Sequence, residues 1–335
     1  MVTIRDIAKE CGVSPATVSK ALNGYGDISG ATAERIREMA DKMNYMPNSA
    51  ARILKTNSSH SVGVILEDNT MSGLTHEFFA EILESAKSTL EQHGYDITLI
   101  SERIGKNSFV EHCLYRKCDG VLVLCVDFTS EQVKELIDSG IPLVTIDYPF
   151  EGKTCVMSDN MIGAGEIVKY LYRKGHRRIA YIHGEDVEVT RRRLRGFDKA
   201  CRELGLSIPE VYLQEGRYHD PRSAEVLTEK LMSLPDRPTA IMYPDDYAFL
   251  GGRGALENMH LQVPRDVSVV GYDGIHLSQA IRPRLTTWQQ NTSDMGRIAA
   301  ERLMDIVEKK GKYYPENIRV HGRLLEGGSV TAPAR

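Results

Sequence analysis

From Ser61 onward the chain repeats one pattern twice: short apolar runs alternating with amphipathic helices. The first series places SerValGlyValIleLeu at 61–66, TyrAspIleThrLeuIle at 95–100, GlyValLeuValLeuCys at 120–125 and ProLeuValThrIleAsp at 142–147. The helix predicted over 77–93 sets Phe79, Ile82, Leu83 and Ala86 on one face. A second series begins near Val156, with helices over 161–174, 191–204, 221–233 and 246–258 and strands at 178–182, 239–243 and 267–273. Apolar runs without alternation are strands covered on both faces, and strand–helix alternation builds parallel sheets. The expectation is an α/β core of two Rossmann-like lobes. Residues 285–290 and a helix over 294–309 return the chain to the first lobe.

Open α/β sheets bind ligands in the crevice at the carboxyl ends of their strands. No GlyXaaGlyXaaXaaGly fingerprint follows the first strand, and no phosphate-loop lysine, GlyXaaSerXaaGly elbow or HisGluXaaXaaHis pair occurs. A dinucleotide enzyme is disfavoured, and no cofactor is called for. The six cysteines have no paired metal spacing and read as reduced, mostly buried thiols, so no metal is expected. His176, between a helix and a strand, reads as local packing.

The first 45 residues follow a different rule. Ile4, Ile7, Ala8 and Cys11 form one helical face, Thr3 is placed to cap it, and Gly12 ends it. Ser14 caps a second helix with Pro15 at its first position. Val18, Ala21 and Leu22 turn inward, leaving Pro15, Ala16, Thr17, Ser19 and Lys20 outward, and Asn23-Gly24 stops the helix. A third helix starts after Ser29 and seals the core with Ile36, Met39, Ala40 and Met43. This is a helix-turn-helix pattern, and its small-residue face suits a major groove. The alternative is a helical hairpin with a merely solvated face. Asn48 can cap one more helix, over about 48–56, which is too short to be stable alone. Residues 57–61 are a polar linker, giving a headpiece over 1–57 and a core over 58–335. Within the core, lobe 1 is expected over about 61–157 and 290–312, and lobe 2 over about 158–288 and 313–328.

Residues 1–57 carry eight Lys/Arg against six Asp/Glu, whereas the whole chain has a net charge of −4. That asymmetry agrees with a DNA-facing head on an acidic body but is too small to establish it. No apolar run is long enough to span a membrane, and no signal-peptide core precedes the first cap. A cytoplasmic chain without a membrane partner is expected.

The stretches ValSerProAlaThrValSerLysAlaLeuAsn and TyrMetProAsnSerAlaAlaArgIleLeuLys, within Thr3–Leu54, resemble the headpiece of the lac-repressor/galactose-repressor (LacI/GalR) family of bacterial transcription regulators. The resemblance continues through the chain. It implies a homodimer on a pseudo-palindromic double-stranded operator, with paired hinge helices levering Leu54, beside Ala51, into the minor groove. Such a wedge unstacks a base step and kinks the duplex. Leu54 as a core residue of the linker is the other reading. The resemblance also implies base discrimination at Pro15, Ala16 and Lys20 and phosphate contacts at Thr17, Ser19 and Asn23. Thr3, Ser14 and Asn48 complete the expected DNA-facing set. Lys20 can donate to guanine O6 or N7, while Pro15 and Ala16 offer only apolar contact.

For the core, the resemblance implies a periplasmic-binding-protein-like fold with a small-molecule effector, a sugar or sugar derivative, between the lobes. Arg193 matches the family's effector-binding arginine and Asp273 its binding carboxylate. Asp245 stands where asparagine is usual, and Phe78, Tyr218 and Trp288 fall at stacking positions. Arg193 and Asp273 would otherwise form an interlobe ion pair, and the aromatics would be core. Arg191, Arg192 and Arg195 crowd the same stretch and read as solvated or paired, or else as a sign of a sugar phosphate. Glu77 replaces a common proline. The expected function is an effector-controlled repressor without enzymatic activity. The alternatives are a cytoplasmic sugar-binding protein or an enzyme on the same fold.

Overall fold

Thr3 and Gly12 bracket the first helix, α1 (Ile4–Cys11), as the spacing predicts. Thr3 and Asp6 form a reciprocal capping box, and Gly12 takes φ +64°, a conformation that costs a residue without Cβ little. The computed structural model describes residues 2–22, 25–45, 58–67, 73–101, 108–309 and 313–334. The chain divides into two compact units, Met1–Ser59 and His60–Arg335.

In the first unit, α2 (Pro15–Leu22) and α3 (Gly30–Lys42) follow α1. Ser14 Oγ accepts the Thr17 backbone N–H at 3.1 Å, and Ser29 caps α3 through the Thr32 N–H. Ile7, Ala8, Val18, Ala21, Ile36 and Ala40 make the core. The exposed Arg35 donates to the Cys11 carbonyl at 2.9 Å, tying α3 to the end of α1.

The second unit holds two six-stranded sheets. Sheet one contains β1 (Ser61–Leu66), β2 (Asp96–Ile100), β3 (Gly120–Cys125), β4 (Leu143–Ile146), β5 (Thr154–Ser158) and β11 (Asn317–Val320). Its order is β11-β5-β4-β3-β1-β2, all parallel. Sheet two contains β6 (Ile179–His183), β7 (Leu213–Glu215), β8 (Ala240–Met242), β9 (Ser268–Asp273), β10 (Thr286–Gln289) and β12 (Arg323–Leu325), in the order β12-β10-β9-β8-β6-β7. Only β12 runs antiparallel.

Helices α4 (Glu77–Gln92), α5 (Phe109–Arg116), α6 (Glu131–Asp138) and α12 (Thr292–Lys309) belong to lobe 1. Lobe 2 holds α7 (Asn160–Arg173), α8 (Glu188–Glu203), α9 (Pro221–Met232), α10 (Phe249–Asn258) and the short α11 (His276–Ala280). One face of sheet one packs on α4 and α12 through Val62, Leu122, Val144, Ile82, Leu90, Ala299 and Leu303. Each fully buried aliphatic side chain of this kind contributes about 1.5–3 kcal/mol. In lobe 2, a Cβ on Gly196 would lie 2.0 Å from the Met161 carbonyl, so α8 can touch the backbone of α7 only with glycine there. That approach brings Arg193, one turn earlier on α8, to Asn160 at the start of α7.

The chain crosses between lobes three times: after β5, after β10 and after β11. The expected boundary at 313 is therefore corrected. β11 pairs with β5 of sheet one, so the last crossing follows Val320 and only the tail from β12 onward returns to lobe 2. His176 is structural: Nδ1 meets Thr239 Oγ1 and Nε2 meets the Thr331 carbonyl, each at 2.9 Å. Among the described residues no disulfide forms, and four of the six cysteines are buried. Among the described residues, no helix is long and apolar enough to cross a membrane.

Candidate functional site

The two lobes enclose a cavity of about 200 Å³ reached by Leu124 and Cys125 of β3, Ile146 of β4 and Asp273 of β9. The carboxyl ends of strands from both sheets thus open onto one crevice. Phe78, Asp147 and Tyr148 line it from lobe 1, and Arg193, Tyr218 and Asp273 from lobe 2.

Arg193 is almost wholly buried, with a side-chain exposure of 4%. Nε donates to Asn160 Oδ1 and Nη1 to the Pro244 carbonyl, both at 2.8 Å. The guanidinium lies over the Tyr272 ring at 3.5 Å, with Tyr218 farther away at 5.5 Å. Nη2 stands 3.9 Å from Asp273 Oδ1, close enough to pair but too far to hydrogen-bond. Both residues belong to lobe 2, so the expected ion pair is real but does not join the lobes.

Asp273 ends β9 at φ +104° and accepts a hydrogen bond from Gln290 Nε2 at 2.6 Å. Burial pushes its carboxyl up to about 7, against the pull of Arg193. Asp147, just past β4, sits at φ +58° and accepts the Ser158 N–H at 2.9 Å. Burial raises it to about 6. Asp245 also lines the cavity and is raised by burial, but its oxygens hold the His219 and Ala248 N–H groups at 2.7 and 2.6 Å. Its neighbour Asp246 accepts from Gly274 N, Ile275 N and Thr287 Oγ1, which fixes the loop after Asp273.

Phe78 lines the cavity beside Phe79. Tyr218 also lines it, with its hydroxyl 2.8 Å from Thr190 Oγ1. Trp288 does not. It lies within β10 rather than past its end, and packs in the lobe 2 core with Tyr272, Tyr181 and Phe197. That expectation is corrected. The neighbouring arginines are occupied or outward: Arg191 pairs with Asp186 and Arg192 with Glu188, each at 2.7 Å, and Arg195 is exposed.

Several site residues escape a reading of the sequence. Asp147 obeys the strand-end rule that selects Asp273 and could be found by it. Gln290 and Asn160 sit at lobe crossings. His76 and His219, from opposite lobes, stack at 4.2 Å, and His219 stacks in turn on Tyr247 at 4.0 Å. Only the packing of the lobes brings those rings together.

In the headpiece, Thr3, Ser14, Pro15, Ala16 and Lys20 are exposed, and Thr17 and Ser19 are half-buried. Lys20 pairs with Asp27 in the connection to α3. Asn23, Asn48, Ala51 and Leu54 lie outside the described residues, as does the expected hinge helix.

Residues 3–48 match the bacterial regulatory proteins of the lacI family, and residues 168–330 match the periplasmic binding protein-like domain. The HTH-type transcriptional repressor PurR of Histophilus somni (strain 2336) is 33% identical over 337 residues, spanning 98% of this chain and 99% of the relative. The ribose operon repressor of Escherichia coli (strain K12) is 32% identical over 340 residues, spanning 98% and 100%. Among solved structures, the lac repressor dimer bound to operator and the anti-inducer ONPF superposes with a TM-score of 0.79 at 25% identity, covering 99% of both chains. The transcriptional regulator CelR–cellobiose complex superposes with a TM-score of 0.72 at 26% identity, covering 98% and 100%.

Proposed function

The chain belongs to the lacI family of bacterial regulatory proteins and is a DNA-binding repressor regulated by a small-molecule effector; from that premise we propose that the effector is an uncharged polyol, a sugar or sugar derivative, gripped between the lobes. The carrying observation is the juxtaposition of Arg193 and Asp273. The arginine is locked by Asn160, Pro244 and Tyr272, and Nη2 remains beside a carboxylate at hydrogen-bonding reach of a bridging hydroxyl. A fixed donor next to a fixed acceptor suits vicinal hydroxyls, each of which donates once and accepts once. Phe78 and Tyr218 supply ring faces for the apolar side of a sugar.

The charge balance argues against a sugar phosphate. Asp147, Asp245 and Asp273 face the cavity with Arg193, while Arg191 and Arg192 are held by neighbouring acids. A phosphate there would meet carboxylates, and like charges in a partly dry site repel. The solved cellobiose complex supports a sugar ligand by likeness.

Two protomers hold a pseudo-palindromic operator, each presenting α2 to the major groove, with Lys20 as the polar base reader. The effector prefers one lobe arrangement and shifts the population, which alters operator affinity through the segment around Leu54. The repressor works in the cytoplasm, where the chromosome lies, and recognises its ligand without transforming it. Thermal-shift screening of the full chain against neutral sugars, amino sugars and sugar phosphates tests the ligand class. A neutral sugar should raise the melting temperature in the parent and fail to do so in Arg193→Ala. Stabilisation by sugar phosphates alone would overturn the proposal.

A further inference from the structure

At the rim of the cleft, three metal-ligating side chains from the two lobes converge. Glu77 and Glu81 are the first and fifth residues of α4, a spacing that puts both carboxylates on one helix face. His276 opens α11 in lobe 2, three residues beyond Asp273. One ligand atom from each of the three lies within 4.8 Å of the others. We propose that Glu77, Glu81 and His276 form a site for a first-row divalent cation that clips lobe 1 to lobe 2.

The ligand chemistry fits such an ion. One imidazole and two carboxylates suit zinc or manganese, and both carboxylates are oriented by further hydrogen bonds, as metal ligands usually are. The His276 backbone N–H donates to Glu77 Oε1 at 2.5 Å. The Thr292 hydroxyl, at the start of α12, donates to Glu81 Oε2 at 2.8 Å. That leaves Glu81 Oε1 turned toward His276 Nε2, 3.8 Å away. The imidazole is 93% exposed and can rotate inward without disturbing the core. Zinc needs donors at about 2.0–2.2 Å from the ion, which small rotamer adjustments of three flexible side chains deliver. As a bare exposed ion pair the same contact contributes little. A cation makes it a bond between lobes.

Such a clip has to open before the lobes separate, so it slows exchange of whatever the cleft holds. That consequence rests on the effector reading above, whereas cation binding itself does not. The test uses the full chain stripped with EDTA, free of sugar, and titrated with Zn2+, Mn2+ or Mg2+ by calorimetry and thermal melting. The parent should bind one more equivalent of Zn2+ or Mn2+ than His276→Ala or Glu81→Gln, and gain several degrees that both variants lack. Mg2+ should do neither, because the imidazole favours the softer ions. In EDTA, His276→Ala should melt with the parent because its ring is solvated, so the comparison with that variant decides the matter even where Glu81→Gln folds poorly. Equal stoichiometry and equal shifts in parent and His276→Ala, or no shift in the parent, would overturn the site. Neither result depends on finding a sugar.

Discussion

Asp147 and Asp273 occupy matching places in the two lobes. Each closes the third strand in its sheet's order, β4 and β9, and each adopts positive φ, at +58° and +104°. Non-glycine residues take this conformation at a cost, and aspartate tolerates it better than most. The turn aims both carboxylates into the same crevice from opposite sides. The cleft is therefore lined by a repeated strand-end device, with Arg193 beside it.

Burial raises Asp147 to about 6, above the ordinary value of 3.8. The folded state then binds this proton more tightly than the unfolded chain does. Its contribution to stability is complete below about pH 4 and is lost as pH rises through about 6. Relative to the parent, Asp147→Asn should therefore gain about 1–3 kcal/mol of stability between about pH 5 and pH 8. Urea unfolding of the ligand-free chain at the two pH values measures it, and a pH-independent difference would remove Asp147 from the titrating set.

Arg193→Lys keeps the charge but loses the planar fork that reaches Asn160, Pro244 and the cleft together. Sugar affinity should fall by roughly 10–100-fold, with a stability cost of about 1–3 kcal/mol from the stranded buried acceptors. Operator binding without sugar should stay at the parent value. Calorimetry and anisotropy on the same preparation separate these effects.

Trp288→Phe tests the place of the indole outside the aromatic set of the cleft. Because the indole packs in the lobe 2 core, the variant should cost about 1–2 kcal/mol and leave sugar affinity unchanged. A large loss of affinity at preserved stability would return Trp288 to the site.

Lys20 and Asp27 form an exposed pair, with side-chain exposures of 48% and 55%, so DNA can compete for the lysine at little cost. Asp27→Asn should leave headpiece stability close to the parent value and tighten operator binding. Lys20→Ala should broaden base preference in selection from a randomised duplex library. Leu54→Ala should reduce operator bending while the headpiece melts normally; an unchanged bend would contradict the wedge.

What the sequence discloses follows from which forces are local. The strands at 61–66 and 120–125 fall where the apolar runs place them, because each run carries its own burial signal. The caps at Thr3, Ser14 and Ser29 are equally local. Helix α10 begins at Phe249 rather than 246; Asp245 accepts the Ala248 N–H across the preceding turn, while Asp246 is turned away to the loop after β9, a long-range contact that periodicity does not announce. The lobe of β11 is not legible, because a third crossing decides it and no residue in 317–320 announces that crossing. For Trp288 the difference is two residues along the chain: Gln290, just past the end of β10, reaches the cavity, whereas Trp288, inside it, does not. The His76–His219 stack and the Glu77–His276 contact depend on two distant segments meeting, which periodicity cannot report.

The most direct test of the account is fluorescence anisotropy of the full chain on its selected operator, with and without a saturating sugar identified by thermal shift. The sugar should change operator affinity at least about tenfold in the parent, a coupling of ~1.4 kcal/mol, and leave Arg193→Ala unmoved. A sugar that binds the cleft yet leaves the parent's operator affinity unchanged would contradict it.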